Sequence, residues 1–439
     1  MQAHYGREKK TRKGLVCFLF AFFVACSAVL LIKNMGSEAD AAVEEGRAPA
    51  ETGVRADITV QVQGKTYHYH DALLPCPDHL VYEQMARRKI NAALPEKLQT
   101  LEKCLSAGAS FPDAFGYCFP RFPAFIEDIK REVNIPAVSS EMRFYPNRRP
   151  PFSVTRERYG KELDENRLYQ EIYLSLRHSA VICVTGHVNT VRPEVTLQDN
   201  IACTKKISSF STSFASSGEG RRNNIALALQ KINGTVVPAG ETFSFNKRVG
   251  PRSEKNGFML AKIIVGGEYT DGIGGGVCQV STTLYNAALL AGMRVTTVRG
   301  HTIQPSYVPP SLDAMVNSGA SDLCFYNPFD TPVFIAAHTE GDTAVVTFYG
   351  HALPYIIKTV SRETYRGQVP PDREEIDTER KFVGEDALCG TRVRVSYGHA
   401  KVKSEGYLRY FTLKGQFIKE EKIRTDTYAE TKGLIAVAP

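Results

Sequence analysis

The chain has 439 residues, 10 cysteines, no tryptophan and a formal net charge of +7. Its length predicts roughly two to four domains, and its 43% apolar and 23% charged residues exclude a wholly disordered, collagen-like or coiled-coil protein. Most of the positive charge lies in the first 33 residues, where six basic side chains face a single acidic one, so the remainder is close to neutral. We therefore predict no nucleic-acid partner.

The amino-terminal segment predicts a membrane anchor. A basic tail over residues 1–14 precedes the uncharged apolar run LVCFLFAFFVACSAVLLI at 15–32, which has the length of a short transmembrane helix. The basic residues before the run place the amino terminus in the cytoplasm and the later domains outside the cell membrane. Residues 33–56 are predicted to be a linker. The alternative is a cleaved secretion signal, with the small residues ADAA at 39–42 as the cleavage site.

Export bears on the cysteines. Two of the ten lie in the apolar run, and eight are predicted to lie outside the membrane. An even number in an oxidising compartment favours disulfides, whose connectivity the sequence leaves open. The eight are Cys76, Cys104, Cys118, Cys183, Cys203, Cys278, Cys324 and Cys389.

Beyond the linker, the pattern of apolar residues predicts an α+β protein of several blocks, with a helix near Glu165–Leu176 in the first. A Gly-rich loop leading into a central helix, packed with an antiparallel sheet, is predicted for the longest block. The predicted blocks are an α+β region at 57–200, a Ser/Thr-rich linker at 201–220, the longest block at 221–350, a linker at 351–386 and a small β region at 387–439.

The block at 221–350 carries unusual motifs in a fixed order: RRNNIALALQKING, PAGETFSFN, RVGPR, GIGGGVCQVSTTLYNAALLAG, GHTIQPSYVPPSLDAMV, SDLCFYNP and VTFYG. It closely resembles the VanW family of bacterial cell-envelope proteins, which is named for an accessory gene of glycopeptide-resistance clusters. Residues 134–200 more weakly resemble the peptidoglycan-binding domain that often precedes VanW domains. The resemblance implies an extracytoplasmic protein whose partner is peptidoglycan or its stem peptides.

The motif GIGGGVC indicates a reactive cysteine. Gly274, Gly275 and Gly276 lead to Cys278, and the following VSTTLYNAALLAG predicts a helix. A cysteine at a helix amino terminus is favoured as the thiolate, which is the nucleophilic form. The glycines would let a substrate backbone approach closely, and backbone N–H groups at Cys278 and a neighbour would hold an oxyanion.

A histidine and an aspartate follow in the order that an acyl-transfer site requires. His301 would take the thiol proton, and Asp313 would hold the imidazole in the correct tautomer. The order also looks like the transglutaminase-like cysteine fold, although only 23 residues separate Cys278 from His301. The alternatives are that Cys278 is a small buried residue or is disulfide-bonded to Cys324, that His301 is a loop histidine and that Asp313 is a helix cap.

The sequence departs from the family pattern near this site. A second histidine is usual just before the position of His301, where Val298, Arg299 and Gly300 stand here, and Ser311 replaces a usual glycine. These departures weaken any mechanism that needs two histidines.

We expect the substrate to be bound by Gly274, Gly275, Gly276, Gln279, Arg222 and Tyr307. No metal and no cofactor are predicted. The favoured function is Cys-dependent acyl transfer or hydrolysis at amide bonds of peptidoglycan peptides. The rival is a non-catalytic wall-binding or envelope-assembly module, in which the glycine loop and Arg222 form a ligand groove.

Overall fold

The structure is a computed structural model that describes residues 53–72, 92–265 and 268–439. The predicted basic tail, the predicted membrane span at 15–32 and most of the predicted linker at 33–56 lie outside these residues. Among the residues that the structure describes, no helix combines the length and the apolar character that crossing a membrane requires.

The described chain mixes helices with many small sheets, which confirms the predicted α+β class. The helices are α1 (Leu94–Ser106), α2 (Phe111–Cys118), α3 (Phe122–Val133), α4 (Glu165–Leu176), α5 (Leu197–Ala202), α6 (Glu219–Ile232), α7 (Phe245–Val249) and α8 (Val277–Leu290), with a 3-10 turn at Glu254–Asn256. The strands are β1 (Asp57–Val62), β2 (Lys65–His70), β3 (Met142–Phe144), β4 (Phe152–Val154), β5 (Gly160–Leu163), β6 (Val181–Thr185), β7 (Val188–Val191), β8 (Lys205–Ser213), β9 (Thr235–Val237), β10 (Thr242–Ser244), β11 (Leu260–Val265), β12 (Glu268–Ile273), β13 (Arg294–Thr297), β14 (Cys324–Tyr326), β15 (Val333–Glu340), β16 (Thr343–Gly350), β17 (Tyr355–Arg366), β18 (Arg373–Ile376), β19 (Arg392–Ser396), β20 (Val402–Thr412), β21 (Phe417–Tyr428) and β22 (Leu434–Val437).

The chain divides into two compact units. The first comprises residues up to Val138 together with Arg158–Glu194, and the second comprises Ser139–Glu157 and Val195–Pro439. In the first unit, β1 lies between the antiparallel β2 and the parallel β6, and β5 pairs with β7. Alternate residues of β1 are buried, as the period of a strand requires, and they pack in one core with the apolar faces of α1 to α4.

The second unit is built around α8, which is buried along nearly its whole length. The antiparallel sheet β8-β16-β15-β9 and the helix α6 pack against it. Strand β17 also contacts α8 and pairs with β20, which in turn pairs with β21. A polar side chain on a buried helix is costly unless it is hydrogen-bonded. Ser281, Thr283 and Asn286 of α8 each donate to a backbone oxygen of the same unit.

The structure differs from the predicted linker at 201–220, because this stretch contains β8. Two of its hydroxyl residues, Ser208 and Thr212, are buried against α8, while Ser211 and Ser213 on the same strand are exposed. The Ser208 hydroxyl donates to the backbone oxygen of Ala287 (2.7 Å), and the hydroxyls of Thr212 and Thr283 lie 2.8 Å apart. Small hydroxyl side chains allow the strand and the helix to approach closely, which accounts for the Ser and Thr residues on the buried face of β8.

Two further boundaries differ. The predicted linker at 351–386 contains the long strand β17 and the short β18, so the carboxy-terminal β region begins well before residue 387. The hairpin β3–β4 belongs to the second unit and not to the block predicted at 57–200. It packs there through aromatic rings: the Phe144 and Phe152 centroids lie 5.3 and 5.1 Å from that of Phe334.

Candidate active site

Cys278 lies in the first turn of α8, as the sequence predicted. Gly276 precedes the helix with φ of 105°, a conformation that residues with a Cβ rarely adopt. Gly275 is buried, and a Cβ on it would lie 2.6 Å from the backbone oxygen of Lys262. These glycines therefore serve the close packing of the loop against its own domain, whereas we had expected them to leave space for a substrate.

The thiol of Cys278 is partly exposed and has two polar neighbours. It donates a hydrogen bond to the backbone oxygen of Val316 (3.2 Å), and the neighbouring imidazole of His301 acts to lower its pKa. Burial raises the pKa of Cys278, but the hydrogen bond and charge of His301, the Val316 contact and the charge of Arg252 outweigh it. The net result is a thiol pKa below its ordinary value, which favours the thiolate.

His301 is held by Asp313 through two hydrogen bonds to one oxygen. The ring Nδ1 lies 2.6 Å from Oδ2 of Asp313, and the backbone N–H of His301 donates to the same oxygen over 2.7 Å. Because Nδ1 faces Asp313, Nε2 is the ring nitrogen left for the thiol. Burial lowers the pKa of His301, but the bonds to Asp313 and Cys278 prevail and raise it to about 9.

The segment that carries Asp313 is fixed to α8 by polar side chains of the helix. The Ser281 hydroxyl donates to the backbone oxygen of Ala314 (2.6 Å), and the Thr282 hydroxyl accepts from the Ala314 N–H (2.9 Å). One turn later, the Asn286 amide donates to the backbone oxygen of Leu312 (2.7 Å). The helix that presents the cysteine thus also positions the aspartate.

Sequence reasoning missed the partners of Asp313 on β21. The Tyr428 hydroxyl donates to Oδ1 of Asp313 (2.6 Å), and Arg424 donates to its backbone oxygen (2.5 Å). Arg424, Asp426 and Tyr428 alternate along the strand and so share one face. A polar face on an alternating strand was the available signal, but nothing in it indicates a partner more than a hundred residues away.

Arg252, in the motif RVGPR, is a second residue that the prediction missed. Its guanidinium donates to Asn246 (2.5 Å) and Ser318 (3.2 Å), and its charge acts on Cys278. Its aliphatic stem packs beside Gly274, where a Cβ would lie 3.0 Å from that of Arg252. The arginine therefore places a positive charge next to the cysteine from within the same unit.

Two predicted binding residues are occupied within the domain. Gln279 is buried, with its Nε2 donating to the backbone oxygen of Ser213 (2.8 Å) and its Oε1 accepting from Arg221 (2.9 Å). Arg222 forms an ion pair with Asp342 and donates to the backbone oxygens of Ser217 and Ala215. None of these partners belongs to the glycine loop. Both side chains stabilise the fold around α8.

Tyr307 is the predicted binding residue that the structure brings to the cysteine. Thr282 and Cys278 both act on the pKa of its hydroxyl, Thr282 lowering it and Cys278 raising it. Burial raises the pKa of Tyr307 above its ordinary value, and the negative charge at Cys278 adds to that rise. Tyr307 is therefore a neutral hydroxyl beside the thiol.

The backbone amides on either side of Cys278 are already used. The Val277 N–H donates to the oxygen of Gly274 (3.2 Å), and the Gln279 N–H donates to that of Gly276 (3.0 Å). An oxyanion hole that needs a neighbouring amide, as predicted, would have to break one of these bonds. Cys278 and Cys324 are both thiols in the structure and have different neighbours, since Cys324 contacts Asp322 over 3.4 Å.

Comparison with known proteins places this site in a family. The family model described as "VanW like protein" matches residues 220–349. The uncharacterized protein YoaR of Bacillus subtilis (strain 168) is 42% identical over 146 residues, which are 33% of this chain and 48% of YoaR. The vancomycin B-type resistance protein VanW of Enterococcus faecalis (strain ATCC 700802 / V583) is 29% identical over 117 residues, 26% of this chain and 42% of VanW. The chain thus spans about half, or less, of these curated relatives.

Two solved structures of G5 domains also match. The G5 domain of HP0197 is 11% identical and covers 19% of this chain and 96% of its own, with a TM-score of 0.11. The G5 domain of IgA1 protease is 18% identical and covers 19% of this chain and 87% of its own, with a TM-score of 0.12. Scores this low establish no common fold. It is the sequence match at residues 220–349, which include Cys278, His301 and Asp313, that identifies this part of the chain as a VanW-like domain.

Proposed function

We propose that the chain is an extracytoplasmic cell-envelope protein whose VanW domain uses Cys278 to cleave amide bonds of peptidoglycan stem peptides or to transfer their acyl groups to another amine. The observation that carries the proposal is the pairing of His301 with the buried carboxylate of Asp313, which leaves the other ring nitrogen for Cys278, a partly exposed residue whose thiol pKa His301 lowers. The wall partner is supported by the family alone.

The proposed reaction uses the protein's own residues in two steps. The Cys278 thiolate attacks the amide carbonyl carbon to form a carbon–sulfur bond, and the carbon–nitrogen bond then breaks as His301 gives its proton to the leaving amine. In the second step, His301 takes a proton from water or an acceptor amine, which attacks the thioester and releases the thiolate. Asp313 keeps the imidazole oriented throughout.

Arg252 is the group that would stabilise the developing oxyanion in this proposal. The amides beside Cys278 are engaged, whereas Arg252 already acts on the sulfur with a full positive charge. A fixed cation next to the reacting carbonyl stabilises the charge that appears in the transition state. The neutral hydroxyl of Tyr307, which lies beside the thiol, would donate a further hydrogen bond to the substrate.

The decisive experiment compares three full-length proteins on purified muropeptides, with products followed by mass spectrometry. The wild type and a Cys324→Ala control should change the amide bonds, whereas Cys278→Ala should bind the fragments without turnover. Cys324 is the matched control because it is also a partly exposed thiol in the same unit. Unchanged binding with no turnover in any of the three would contradict catalysis and support a wall-binding module.

The localisation part has its own test. We propose that the apolar run at 15–32 anchors the chain as a single-pass protein with its domains outside the cell. Protease added to intact cells should degrade the domains and leave the basic tail protected, while protein released into the medium would indicate a cleaved signal. Protection of the domains would contradict the topology.

A further inference from the structure

We propose that the carboxy-terminal strand β21 completes the active site, with Tyr428 and Arg424 acting as positioning residues that hold Asp313 for His301. The inference rests on the proposed role of Cys278 as nucleophile. It extends the site beyond residues 220–349, the part of the chain that the family model matches.

The contacts converge on a single carboxylate. Asp313 is fully buried, and its two carboxylate oxygens have different hydrogen-bond partners. Oδ2 accepts from His301, while Oδ1 accepts from the Tyr428 hydroxyl (2.6 Å) and faces Nη2 of Arg424 (3.5 Å). Without the second set of donors, Oδ1 would be a buried carboxylate oxygen with no hydrogen-bond donor, which is costly. The donors that fix the side of Asp313 away from the histidine all come from β21.

Arg424 is itself held in a fixed orientation. Its Nε and Nη2 donate to the two oxygens of Asp426, both over 2.6 Å, in the bidentate geometry that arginine and carboxylate favour. Its remaining nitrogen reaches the backbone oxygen of Asp313. The arginine therefore ties both the backbone and the side chain of Asp313 to the strand.

The loop between His301 and Asp313 is fastened to the same sheet at several points. The Ser311 N–H donates to the Tyr428 hydroxyl (2.6 Å), and the Ala429 N–H donates to the backbone oxygen of Thr302 (2.7 Å). The hydroxyl of Tyr428 thus accepts from the loop while donating to the carboxylate. One side chain sets the distance between the loop backbone and Asp313.

Gly300 shows how closely the strand approaches. A Cβ at this position would lie 2.7 Å from Oδ1 of Asp426 and would also collide with the Arg424 guanidinium. The residue immediately before His301 can have no side chain while this ion pair is in place. This close contact accounts for the absence of a side chain, and so of a second histidine, at position 300.

The charged groups around the thiol are equal in number for the two signs, and β21 adds one group of each sign. With the cysteine as thiolate and the histidine protonated, three negative groups face three positive ones. They are Cys278, Asp313 and Asp426 against His301, Arg252 and Arg424. Because such a cluster is costly to bury unless it is paired, the ion pair of Arg424 with Asp426 lets β21 approach the site without adding net charge.

The test measures alkylation of Cys278 in the full-length protein by iodoacetamide as a function of pH, with the modified site read by mass spectrometry. Tyr428→Phe should lower the rate at neutral pH by about tenfold, the equivalent of one unit of thiol pKa. In an Asp313→Asn background, the same substitution should change the rate by less than about twofold, because its effect passes through the carboxylate.

Two variants make the result specific. Tyr407→Phe is the matched control on the neighbouring strand β20, where the hydroxyl donates to Glu405 and not to the site, and it should leave the pH profile unchanged. Arg424→Lys keeps the charge but loses the bidentate fork, and it should slow alkylation by about threefold. It is the alternative test if Tyr428→Phe does not fold. Thermal unfolding of each variant separates lost structure from lost reactivity.

The outcomes distinguish this inference from the proposed function. A wild-type Cys278 with an ordinary thiol pKa would overturn both. A reactive wild-type Cys278 together with an unaltered Tyr428→Phe and Arg424→Lys profile would overturn the role of β21 alone. An equal loss from Tyr428→Phe in the presence and absence of the Asp313 carboxylate would do the same, since the effect would then be general and structural.

Discussion

The two units each bury an aspartate, and the comparison between them separates structural from chemical pairing. In the first unit, both oxygens of Asp71 accept from the Lys97 ammonium, over 2.9 and 2.7 Å, and both residues are buried. In the second, Asp313 is paired with His301, whose other ring nitrogen is left for the partly exposed Cys278. The thiol that the first pair influences, Cys118, is buried and has a raised pKa, whereas the thiol beside the second pair has a lowered one.

Burial lowers the pKa of both cations, but the net shifts are opposite. Desolvation lowers the pKa of Lys97 despite the hydrogen bonds that it donates to Asp71. For His301, the bonds to Asp313 and Cys278 overcome the same desolvation and raise the pKa. Each cation has a carboxylate and a cysteine that raise its pKa, but only His301 hydrogen-bonds both of them, whereas Cys118 acts on Lys97 through its charge alone. The hydrogen bonds of His301, set against its burial, therefore decide the direction of its shift.

The largest expected effect comes from breaking the second pair. Asp313→Asn should lower turnover of wall peptides by roughly a thousandfold, because the amide no longer fixes the tautomer of His301. Kinetics of the purified full-length variant would measure the loss. Asp71→Asn is the control, and it should leave turnover per folded molecule unchanged. Equal losses in the two variants would contradict the distinction between a structural aspartate and one that acts on the nucleophile.

Breaking the first pair should affect stability instead. Asp71→Asn leaves the Lys97 ammonium buried beside a neutral group and should lower the free energy of unfolding by about 3 kcal/mol. Urea denaturation would detect the loss. Adding Lys97→Met should recover most of it, since an apolar side chain needs no partner. If the double variant stays as unstable as the single one, the ion pair is not the cause.

The pH dependence should follow the two shifted groups. The lowered pKa of Cys278 means that alkylation stays fast as the pH falls toward neutrality and is lost only below the ordinary thiol range. The raised pKa of His301 means that its proton, needed by the leaving amine, is lost as the pH rises through about 9. Turnover should therefore fall on both sides, whereas alkylation should fall only on the acid side. Parallel profiles would contradict the role of His301 as proton donor.

A smaller effect is expected from Arg252→Gln. Loss of the cation beside Cys278 should raise the thiol pKa by about one unit, because an opposite charge nearby favours the thiolate. The pH at half-maximal alkylation reports the shift. Arg248→Gln, an exposed neighbour in the same motif region, serves as the control. A response equal to that of Arg252→Gln would indicate a general charge effect.

The smallest effect is expected at Ser311, which has φ of 60° and is buried. Ser311→Gly removes the cost of a left-handed backbone but also removes the hydrogen bond between the hydroxyls of Ser311 and Ser404. The two contributions are each about 1 kcal/mol and oppose one another, so the unfolding free energy should change by less than that. Thermal unfolding measures the balance, and a loss much above 1 kcal/mol would show that the hydroxyl bond dominates.

Much of the candidate site was predictable because its parts lie close together in the chain. The glycine motif and the apolar period after it indicate a helix that begins near Cys278, and the structure has one there. His301 and Asp313 follow within the same block and meet in the structure. The positive φ at Ser311 also gives a physical reason why glycine is the usual residue at this position.

The rest could not be predicted because it depends on contacts between distant segments. Tyr428 lies 115 residues from Asp313 along the chain, and strand periodicity does not say what a strand faces. Composition was misleading at β8, where a run of Ser and Thr is typical of a linker but here packs against a helix. Hydroxyl groups suit both environments, and only the tertiary fold distinguishes them.

The hydroxyl contacts between β8 and α8 fix the helix along its own axis. Apolar packing alone tolerates sliding and rotation, whereas the bonds of Ser208 and Thr212 each require one particular helical residue. A shift of a single residue would turn the helix by roughly 100° and move it about 1.5 Å, which would carry Cys278 away from His301. Ser208 and Thr212 therefore fix the rotation of α8 about its axis, and with it the direction in which Cys278 points.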